Sequence, residues 1–337
     1  MLRFIIVLSL LISFSIVTGS TENVVRNDKQ VEKGGKRIVS YEKLGKISGQ
    51  KIVISRTVDL RGGECKLSNE MTLVFKGGII KNGTLIGNNT KISSEKAIFD
   101  HVCVKGSWLV PNINTGMFAD LTYENALADL FALQNHNIKN TITIEKGLYQ
   151  VNAPSEWSYC LKLGSKTDLI IDGRIKLIPN NYKGCDILLV EGKNITITGS
   201  GSIEGDKHNH TGKLGEWGMG VKIRKAENVA IGGLTIKDCW GDCIYIGSNS
   251  KNIQINNCNL IHGRRQGISI TSADGVIIKG GSISNVSGTE PSCGIDIEPN
   301  KGENVNRVVI DGVSIKNCIG GVKSYGGANK ASIGEIT

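Results

Sequence analysis

Apolar and polar residues alternate in short runs throughout the second half of the chain. A five-residue phrase that usually opens with glycine recurs there, as in Gly267-Ile-Ser-Ile-Thr and Gly294-Ile-Asp-Ile-Glu. Its first apolar residue falls at Val221, Ile244, Ile268, Ile295 and Val322, with spacings of 23, 24, 27 and 27 residues. A period of this length is typical of a solenoid, in which each repeat stacks on its neighbours.

The residue types indicate which solenoid forms. Alternating Ile and Val predict strands with one face buried, and no helix-length pattern lies between the phrases. We therefore predict coils of strand, turn, strand, turn, stacked as a parallel β-helix. The same alternation extends upstream, with predicted inward residues at Leu161 and Leu163 and then at Ile187 and Leu189. At least seven coils are expected from about Cys160 onward, each about 4.8 Å above the last.

These repeats resemble the right-handed parallel β-helix family of pectate lyases, polygalacturonases and phage tailspikes, over roughly residues 40–337. The resemblance implies an all-β, right-handed parallel β-helix whose N-terminal segment, containing one short helix, caps the open end. It says less about activity, because one fold hosts many chemistries.

The chain divides into four predicted parts. Residues 1–20 have the charged start, apolar stretch and small-residue end of a signal peptide, and residues 21–38 are predicted to be a disordered leader. Residues 39–158 form a β-rich capping region with a helix over 122–136, whose apolar stripe is Leu127, Leu130, Phe131 and Leu133. Residues 159–337 form the coils, and a last strand-like run suggests further coils beyond them. We expect export to the periplasm, the cell surface or the medium.

Composition narrows the partners. The formal charge is +9 and the pI is about 9.0, which favours an anionic partner such as an acidic polysaccharide. Only 5% of residues are aromatic, so stacking platforms for nucleic acid are not expected. No segment after the signal peptide is apolar enough to span a membrane, and the oligomeric state stays open.

Nine cysteines occur, without a CxxC spacing that would indicate a zinc cluster. Cys239 and Cys318 fall at the position that Val286 occupies in another coil, which indicates an inward position. We therefore predict that Cys239, Cys258 and Cys318 are reduced and buried, as small apolar side chains.

The register places most of the chemically active side chains on one outward face. Three rows contribute to it: Lys222, Tyr245, Ser269, Asp296 and Lys323; then Arg224, Gly247, Thr271, Glu298 and Tyr325; then Asp242, Arg264, Arg265 and Gln266. The outward positions of the second strand are blander: Ala230, Gln254, Ile277 and Val309.

Two insertions are expected over the same face, because loops that interrupt a solenoid often build its binding site. Residues 205–220 contribute Asp206, His208, His210, Glu216 and Trp217. Residues 287–293 are expected to bring Glu290 close to Asp296.

A narrower resemblance concerns polygalacturonases, whose pattern has Asp-Asp-Cys-Ile and, one coil later, Gly-His-Gly-Ile-Ser-Ile. Here the corresponding runs are Gly241-Asp-Cys-Ile and Arg265-Gln-Gly-Ile-Ser-Ile. Asp242 matches one family acid, whereas Gly241, Gln266 and Met219 replace the other acids and the histidine. Polygalacturonase activity itself is therefore not expected.

Two classes of function follow. An enzyme that hydrolyses or eliminates a polysaccharide is favoured, although a non-catalytic adhesive or tailspike-like solenoid stays open. The predicted catalytic residues are Asp242, Asp296 and Glu298. The predicted substrate-binding residues are Lys222, Arg224, Tyr245, Arg264, Arg265, Gln266, Trp217 and Glu290. No cofactor or metal is expected for hydrolysis. Elimination would call for Ca²⁺, and Asp206, His208 and His210 are the candidates if another metal binds.

Overall fold

The computed structural model describes residues 14–16, 37–39, 51–94, 98–123, 125–326 and 331–337. Two strands, β1 (Phe14–Ile16) and β2 (Arg37–Val39), pair antiparallel, and the rest of the predicted signal peptide and leader lies outside the described residues. Among the described residues, no helix is both long enough and apolar enough to cross a bilayer.

The chain divides into two compact units, with residues 1–110 and 116–120 in the first and residues 111–115 and 121–337 in the second. The first unit contains a six-stranded parallel sheet. Its strands are β3 (Lys51–Ile54), β4 (Val58–Asp59), β5 (Glu64–Lys66), β6 (Thr72–Phe75), β7 (Ile80–Ser93) and β8 (Phe99–Leu109). The long strand β7 pairs with β4, β5, β6 and β8. The core of this unit includes the buried rings of Phe99 and Trp108.

The second unit is a parallel β-helix with three ladders of strands. Ladder 1 consists of β12 (Tyr159–Leu163), the first half of β15 (Asp186–Thr198), the first half of β17 (Val221–Gly232), β19 (Ile244–Gly247), β22 (Gln266–Ile270), β25 (Cys293–Ile297) and β28 (Gly320–Ser324). The pairing along this ladder is parallel throughout.

Ladders 2 and 3 complete each coil. Ladder 2 consists of β9 (Asn112–Asn114), β10 (Asn140–Ile144), β13 (Thr167–Ile171), the second halves of β15 and β17, β20 (Ser250–Asn256), β23 (Ala273–Lys279), β26 (Asn304–Asp311) and β29 (Ser332–Ile333). Ladder 3 consists of β11 (Leu148–Val151), β14 (Arg174–Leu177), β16 (Ser202–Glu204), β18 (Thr235–Lys237), β21 (Asn259–Ile261), β24 (Ser282–Ser284) and β27 (Ser314–Lys316).

The prediction of a parallel β-helix is confirmed, but the prediction of two strands per coil is wrong. The third strand, in ladder 3, is mostly three residues long and places a single apolar residue inward, such as Ile236 or Leu260. A run with one apolar residue shows no alternation, so the sequence pattern does not distinguish this strand from the turns on either side of it.

The predicted inward ladder is confirmed. Val221 pairs with Ile244, and the register continues through Ile268 and Ile295 to Val322. The first four are buried, whereas Val322 is 51% exposed because no further strand lies beyond β28 in the described part of ladder 1.

One coil has a different phase from the one predicted. Leu188 and Val190 pair with Val221 and Ile223 and point inward, instead of Ile187 and Leu189. All of residues 186–190 are buried, and this run is apolar from Ile187 to Val190. Consecutive apolar residues leave the inward pair undetermined in the sequence.

The glycine that opens the repeated phrase lies at a crowded corner. A Cβ on Gly267 would lie 2.3 Å from Cγ2 of Ile283 in ladder 3, and one on Gly294 would lie 2.6 Å from Cγ2 of Ile315. The corner between ladders 3 and 1 is therefore too narrow for a side chain at these two positions.

A short helix packs at the first coil. Helix α1 (Ala126–Phe131) is shorter than the predicted span of 122–136, and a 3-10 turn (Thr115–Met117) precedes it. Leu127, Leu130 and Phe131 are buried, as is Leu133 beyond the helix end. The helix contacts β11 and β12, the first strands of ladders 3 and 1.

All nine cysteines are free thiols. Cys239 and Cys258 are buried as predicted, but Cys318 is only half-buried, because it lies in the last coil that has a ladder 3 strand. The Sγ atoms of Cys160 and Cys185 lie 3.9 Å apart.

We predict that Ile268→Ala lowers the free energy of unfolding by about 2–5 kcal/mol, because it leaves a cavity within the inward ladder. Ile277→Ala makes the same deletion on the outward row of ladder 2, where Ile277 is 39% exposed, and should cost less than about 1 kcal/mol. Urea unfolding monitored by circular dichroism measures both. Equal losses would contradict the register.

We also predict that most of the nine thiols react in a titration of the full-length protein under denaturing conditions without reductant. Burial protects them from exchange, and no pair is bonded. If any pair oxidises, we expect Cys160 with Cys185. Four disulfides would overturn the prediction.

Candidate functional site

The outward face of ladder 1 brings the predicted residues into one row. Strand pairing aligns Lys222, Tyr245, Ser269, Asp296 and Lys323 across five successive coils. Because the coils stack about 4.8 Å apart, side chains from different parts of the sequence become neighbours here.

Five of the polar residues that were predicted to point into solvent are instead buried: Asp242, Gln266, Ser269, Thr271 and Asp296. Asp242 and Gln266 have no exposed surface, and Asp296 is 1% exposed. Asp296 belongs to the outward row, whereas Gln266 stands two residues before the inward Ile268, on the same side of its strand. Charged side chains lie close to the two carboxyls. The Nε atom of Arg265, for example, lies 3.6 Å from Oδ1 of Asp242.

Asp242 is an uncommon carboxyl group. Neither of its oxygens accepts a well-formed hydrogen bond from a described residue. Burial raises the pKa of Asp242 to about 6, although the positive charge of Arg265 opposes the shift. A buried acid that lacks donors is expected to hold its proton at a higher pH than an exposed one.

Asp296 is held by the coil beneath it. Nε2 of Gln266 donates to Oδ2 of Asp296 at 2.9 Å, while Oε1 of Gln266 accepts from the backbone N–H of Cys293 at 3.0 Å. Burial and then the charge of Glu298 raise the pKa of Asp296. The other oxygen of Asp296 accepts no hydrogen bond among the described residues.

A depression of about 200 Å³ opens beside Asp296. It is lined by Arg265, Ser269, Thr271, Asp296, Glu298, Pro299, Asn300 and Lys301. Arg265 therefore borders both this depression and the buried Asp242. Of the predicted catalytic residues, Asp296 and Glu298 line the depression, whereas Asp242 lies outside its lining, beside Arg265.

Polar contacts continue along the face toward the N-terminus. Nζ of Lys222 lies 3.1 Å from Oδ2 of Asp186 and 5.7 Å from the centre of the Tyr245 ring. The Tyr245 hydroxyl is 2.8 Å from the hydroxyl of Thr271. Burial raises the pKa of Asp186 even though Lys222 opposes the shift.

Sequence reasoning missed Asp186, although a signal was present. Asp186 stands two residues before the first inward residue of its coil, Leu188, as Asp242 stands two residues before Ile244. Because Ile187 was predicted as the first inward residue of this coil, Asp186 was not recognised as the equivalent of Asp242.

Two other predicted binding residues, Arg224 and Glu290, do not contact the buried carboxyls. Nε of Arg224 lies 2.6 Å from Glu191, which also pairs with Lys162 at 2.6 Å. Glu290 is exposed, and it forms no hydrogen bond or ion pair with Asp296 in the described part of the chain.

The insertion at 205–220 is fixed by a small stack of rings. The His210 ring stacks on Trp240 at 3.7 Å, and the guanidinium carbon of Arg264 lies 3.9 Å from the Trp240 ring. Nη1 of Arg264 also donates to the Gly215 carbonyl at 2.7 Å. Arg264 was predicted to bind substrate, but its side chain holds this loop.

The three candidate metal ligands are not brought together. Nδ1 of His210 lies 2.9 Å from Oδ2 of Asp206, and both side chains are buried. His208 points elsewhere, and its Nε2 atom lies 3.1 Å from Oδ1 of Asp238. His262, which the sequence did not single out, contacts the same oxygen at 2.9 Å.

Two tryptophans form an exposed pair near the start of ladder 1. The rings of Trp157 and Trp217 lie 5.4 Å apart, and these residues are 60% and 42% exposed. Gly184 lies beneath them, where a Cβ would be 2.9 Å from both side chains. Trp217 was predicted as a binding residue, whereas Trp157 lies outside the repeats and was missed.

The face of ladder 2 is less bland than predicted. Strand pairing confirms the outward row of Ala230, Gln254, Ile277 and Val309. Beside it lies a larger depression of about 450 Å³, bordered by an asparagine ladder. In this ladder Asn252 donates to Asn228 at 3.1 Å, and Asn228 donates to Asn194 at 3.1 Å.

No family model matches the chain. It is 29% identical over 162 residues to the SPbeta prophage-derived uncharacterized protein YorA of Bacillus subtilis (strain 168), which covers 41% of this chain and 28% of that protein. It is 35% identical over 144 residues to the uncharacterized protein YclG of the same organism, which covers 37% of this chain and 24% of that protein. The matched region thus spans about a quarter of the length of these relatives, and neither name states an activity.

Solved structures also resemble the chain. A glycosyl hydrolase structure described as putative, from Parabacteroides merdae, matches with a TM-score of 0.40 at 13% identity, covering 67% of this chain and 95% of that one. The A-module of the mannuronan C-5 epimerase AlgE4 of Azotobacter vinelandii matches with a TM-score of 0.38 at 8% identity, covering 84% and 91%. At such low scores these likenesses carry no argument, and the fold assignment rests on the strand pairing.

We predict that Asp242→Asn changes stability in a pH-dependent way. The folded protein binds the Asp242 proton more tightly than the unfolded chain does. The folded protein therefore becomes less stable as the pH rises from about 4 to about 6 and Asp242 loses its proton. A shift from 3.8 to about 6 corresponds to about 3 kcal/mol above pH 6. Asparagine lacks this charge, so the variant should gain stability relative to the wild type at pH 8 compared with pH 4.5.

Glu204→Gln is the control with the opposite sign. Two hydrogen bonds of 2.9 Å from Arg174 hold the pKa of Glu204 at about 2, so that variant should be destabilised at both pH values. Urea unfolding at the two pH values measures the four differences. A pH-independent effect of Asp242→Asn would show that Asp242 has an ordinary pKa.

Proposed function

We propose that this protein binds and hydrolyses an anionic polysaccharide on the outward face of ladder 1. The observation that carries the proposal is the pair of buried carboxyl groups, Asp242 and Asp296, with Arg265 beside both. Burial raises the pKa of each carboxyl. Protonated carboxyls of this kind are what a glycosidase needs as a general acid near neutral pH.

The two carboxyls suit different roles. Asp296 lines the depression and is positioned by Gln266, so it is the candidate to protonate the glycosidic oxygen. Asp242 lies beside Arg265, at 3.6 Å from its Nε atom. An acidic group of the substrate would attract Arg265, and movement of that side chain would open Asp242 to the depression as the second carboxyl.

The rest of the face suits a chain of sugars. The exposed rings of Trp157 and Trp217 offer apolar surfaces to sugar rings. From the Val221 coil to the Ile295 coil there are three coil steps, or about 14 Å, which leaves room for an oligosaccharide. Lys301 and Arg265 line the depression and favour an acidic sugar.

Hydrolysis is favoured over elimination. An eliminating base should be free to accept a proton, but Lys222 is paired with Asp186 and Arg265 lies beside Asp242. Elimination, with Ca²⁺ as the neutralising cation, is a distinct outcome of the same screen. Export remains part of the proposal, which rests here on the first twenty residues of the sequence.

Binding without cleavage is the second candidate function. The tryptophan pair favours it, because the exposed rings of Trp157 and Trp217 can stack on sugar rings whether or not a carboxyl donates a proton. The two functions differ in what a single carboxyl contributes, since binding by stacked rings needs no proton donor.

We predict that Asp296→Asn lowers turnover by roughly 10² or more while binding of the polysaccharide is kept, because asparagine keeps the shape but cannot donate the proton. Asp168→Asn is the matched control. It is the same substitution on the outer face of ladder 2, where Asp168 pairs with Lys139 at 2.7 Å. The control should keep wild-type turnover.

The measurement begins with a screen of uronate-containing and neutral polysaccharides, in which new reducing ends and unsaturated-uronate absorbance are followed together. Reducing ends without that absorbance support hydrolysis, whereas their joint appearance indicates elimination. Normal turnover in Asp296→Asn would remove Asp296 from the mechanism. Binding without turnover in the wild type would establish the adhesive function instead.

A further inference from the structure

The turn from ladder 3 to ladder 1 contains a column of four polar residues from successive coils. They are Asp238, His262, Asn285 and Asn317, and all four have a left-handed backbone, with φ between 53° and 58°. Each follows a ladder 3 strand, and the backbone N–H of one coil bonds to the carbonyl of the next, as from Asp238 to Ile261.

Two asparagines show what this turn requires. Nδ2 of Asn317 donates to Oδ1 of Asn285 at 3.1 Å, so neutral amides link neighbouring coils. Asparagine also tolerates the left-handed backbone well. The pair of Asp238 and His262, joined at 2.9 Å, is therefore not needed to build the turn.

The insertion adds a second imidazole to the same carboxylate oxygen. Nε2 of His208 lies 3.1 Å from Oδ1 of Asp238, and the rings of His208 and His262 are 5.5 Å apart in an edge-to-face arrangement. The three ligand atoms all lie within 4.8 Å of one another. Three residues from a loop and two coils therefore converge on one point.

We propose that His208, Asp238 and His262 form a binding site for a divalent transition metal such as Zn²⁺. The two nitrogen–oxygen distances, 3.1 Å and 2.9 Å, match ligands at right angles around a metal about 2.1 Å away, which are about 3.0 Å apart. Tetrahedral Zn²⁺ needs about 3.4 Å between ligands, which a shift of a few tenths of an ångström in each exposed imidazole supplies. Imidazole nitrogen selects Zn²⁺, Cu²⁺ or Ni²⁺ over Ca²⁺ and Mg²⁺.

The surroundings suit an accessible ion. The side chains of His208 and His262 are 61% and 40% exposed, so water can fill the remaining coordination positions. Nζ of Lys237 lies 4.0 Å from Oδ2 of Asp238, on the oxygen that the imidazoles do not contact. Oδ1 is thus left for the metal.

Such an ion would fasten the 205–220 insertion to two coils of the solenoid. His208 belongs to the insertion, whereas Asp238 and His262 belong to the turns of successive coils. The proposal stands without the proposed hydrolysis, since binding of the ion is measured directly.

The test titrates ZnCl₂ into the full-length protein against a chromophoric chelator, while NMR follows the side chains of its five histidines. We expect one Zn²⁺ per chain, with a Kd below about 10 μM, and changes in the imidazole signals of His208 and His262. His208→Ala and His262→Ala should each weaken binding by roughly 100-fold.

His101→Ala is the control, because Nδ1 of His101 lies 2.7 Å from Asp100 in a histidine–carboxylate pair of the first unit. It should bind Zn²⁺ like the wild type. Circular dichroism in EDTA checks that each variant folds. If His262→Ala does not fold, the test rests on His208→Ala, because His208 lies in the exposed loop. Binding weaker than about 100 μM in the wild type, or unchanged binding in His208→Ala, would overturn the proposal.

Discussion

The fold depends on parallel strands stacking in register, one coil on the next. Each residue of a coil must therefore suit a column that runs through every coil. Inward columns such as the one from Val221 to Ile295 accept only apolar side chains, and a shift of one residue would turn them outward. The corner at Gly267 has no space for a side chain, because Ile283 of ladder 3 already occupies it.

The same register gathers polar groups on the outer side. Columns there are free of the packing requirement, so charges of both signs lie one strand spacing apart. Asp186, Asp242 and Asp296 depart from this rule, because they are buried without full sets of hydrogen bonds. Buried carboxyls cost stability, and departures from local rules are expected at functional sites. The long apolar ladders of this solenoid can offset that cost.

Insertions supply what the columns cannot. The 205–220 loop carries His210 to Trp240, where Arg264 completes the stack. It carries His208 to the turn that follows β18 in the next coil, beside Asp238. Both contacts join a loop to residues of the regular coils. The loop thus adds side chains to a face whose repeating positions are already set by strand pairing.

The solenoid, its inward ladder and the outward row from Lys222 to Lys323 can all be predicted from the amino-acid pattern, because a two-residue alternation repeated at a fixed period sets them. The ladder 3 strands are not resolved by that pattern, because most of them have a single inward residue, and neither is the phase of residues 187–190, which are all apolar. The burial of Asp242 beside Arg265 and the meeting of His208 with Asp238 and His262 emerge only in the folded chain. These contacts depend on how side chains of neighbouring coils and of the insertion fold over one another, and no local pattern in the sequence encodes that packing.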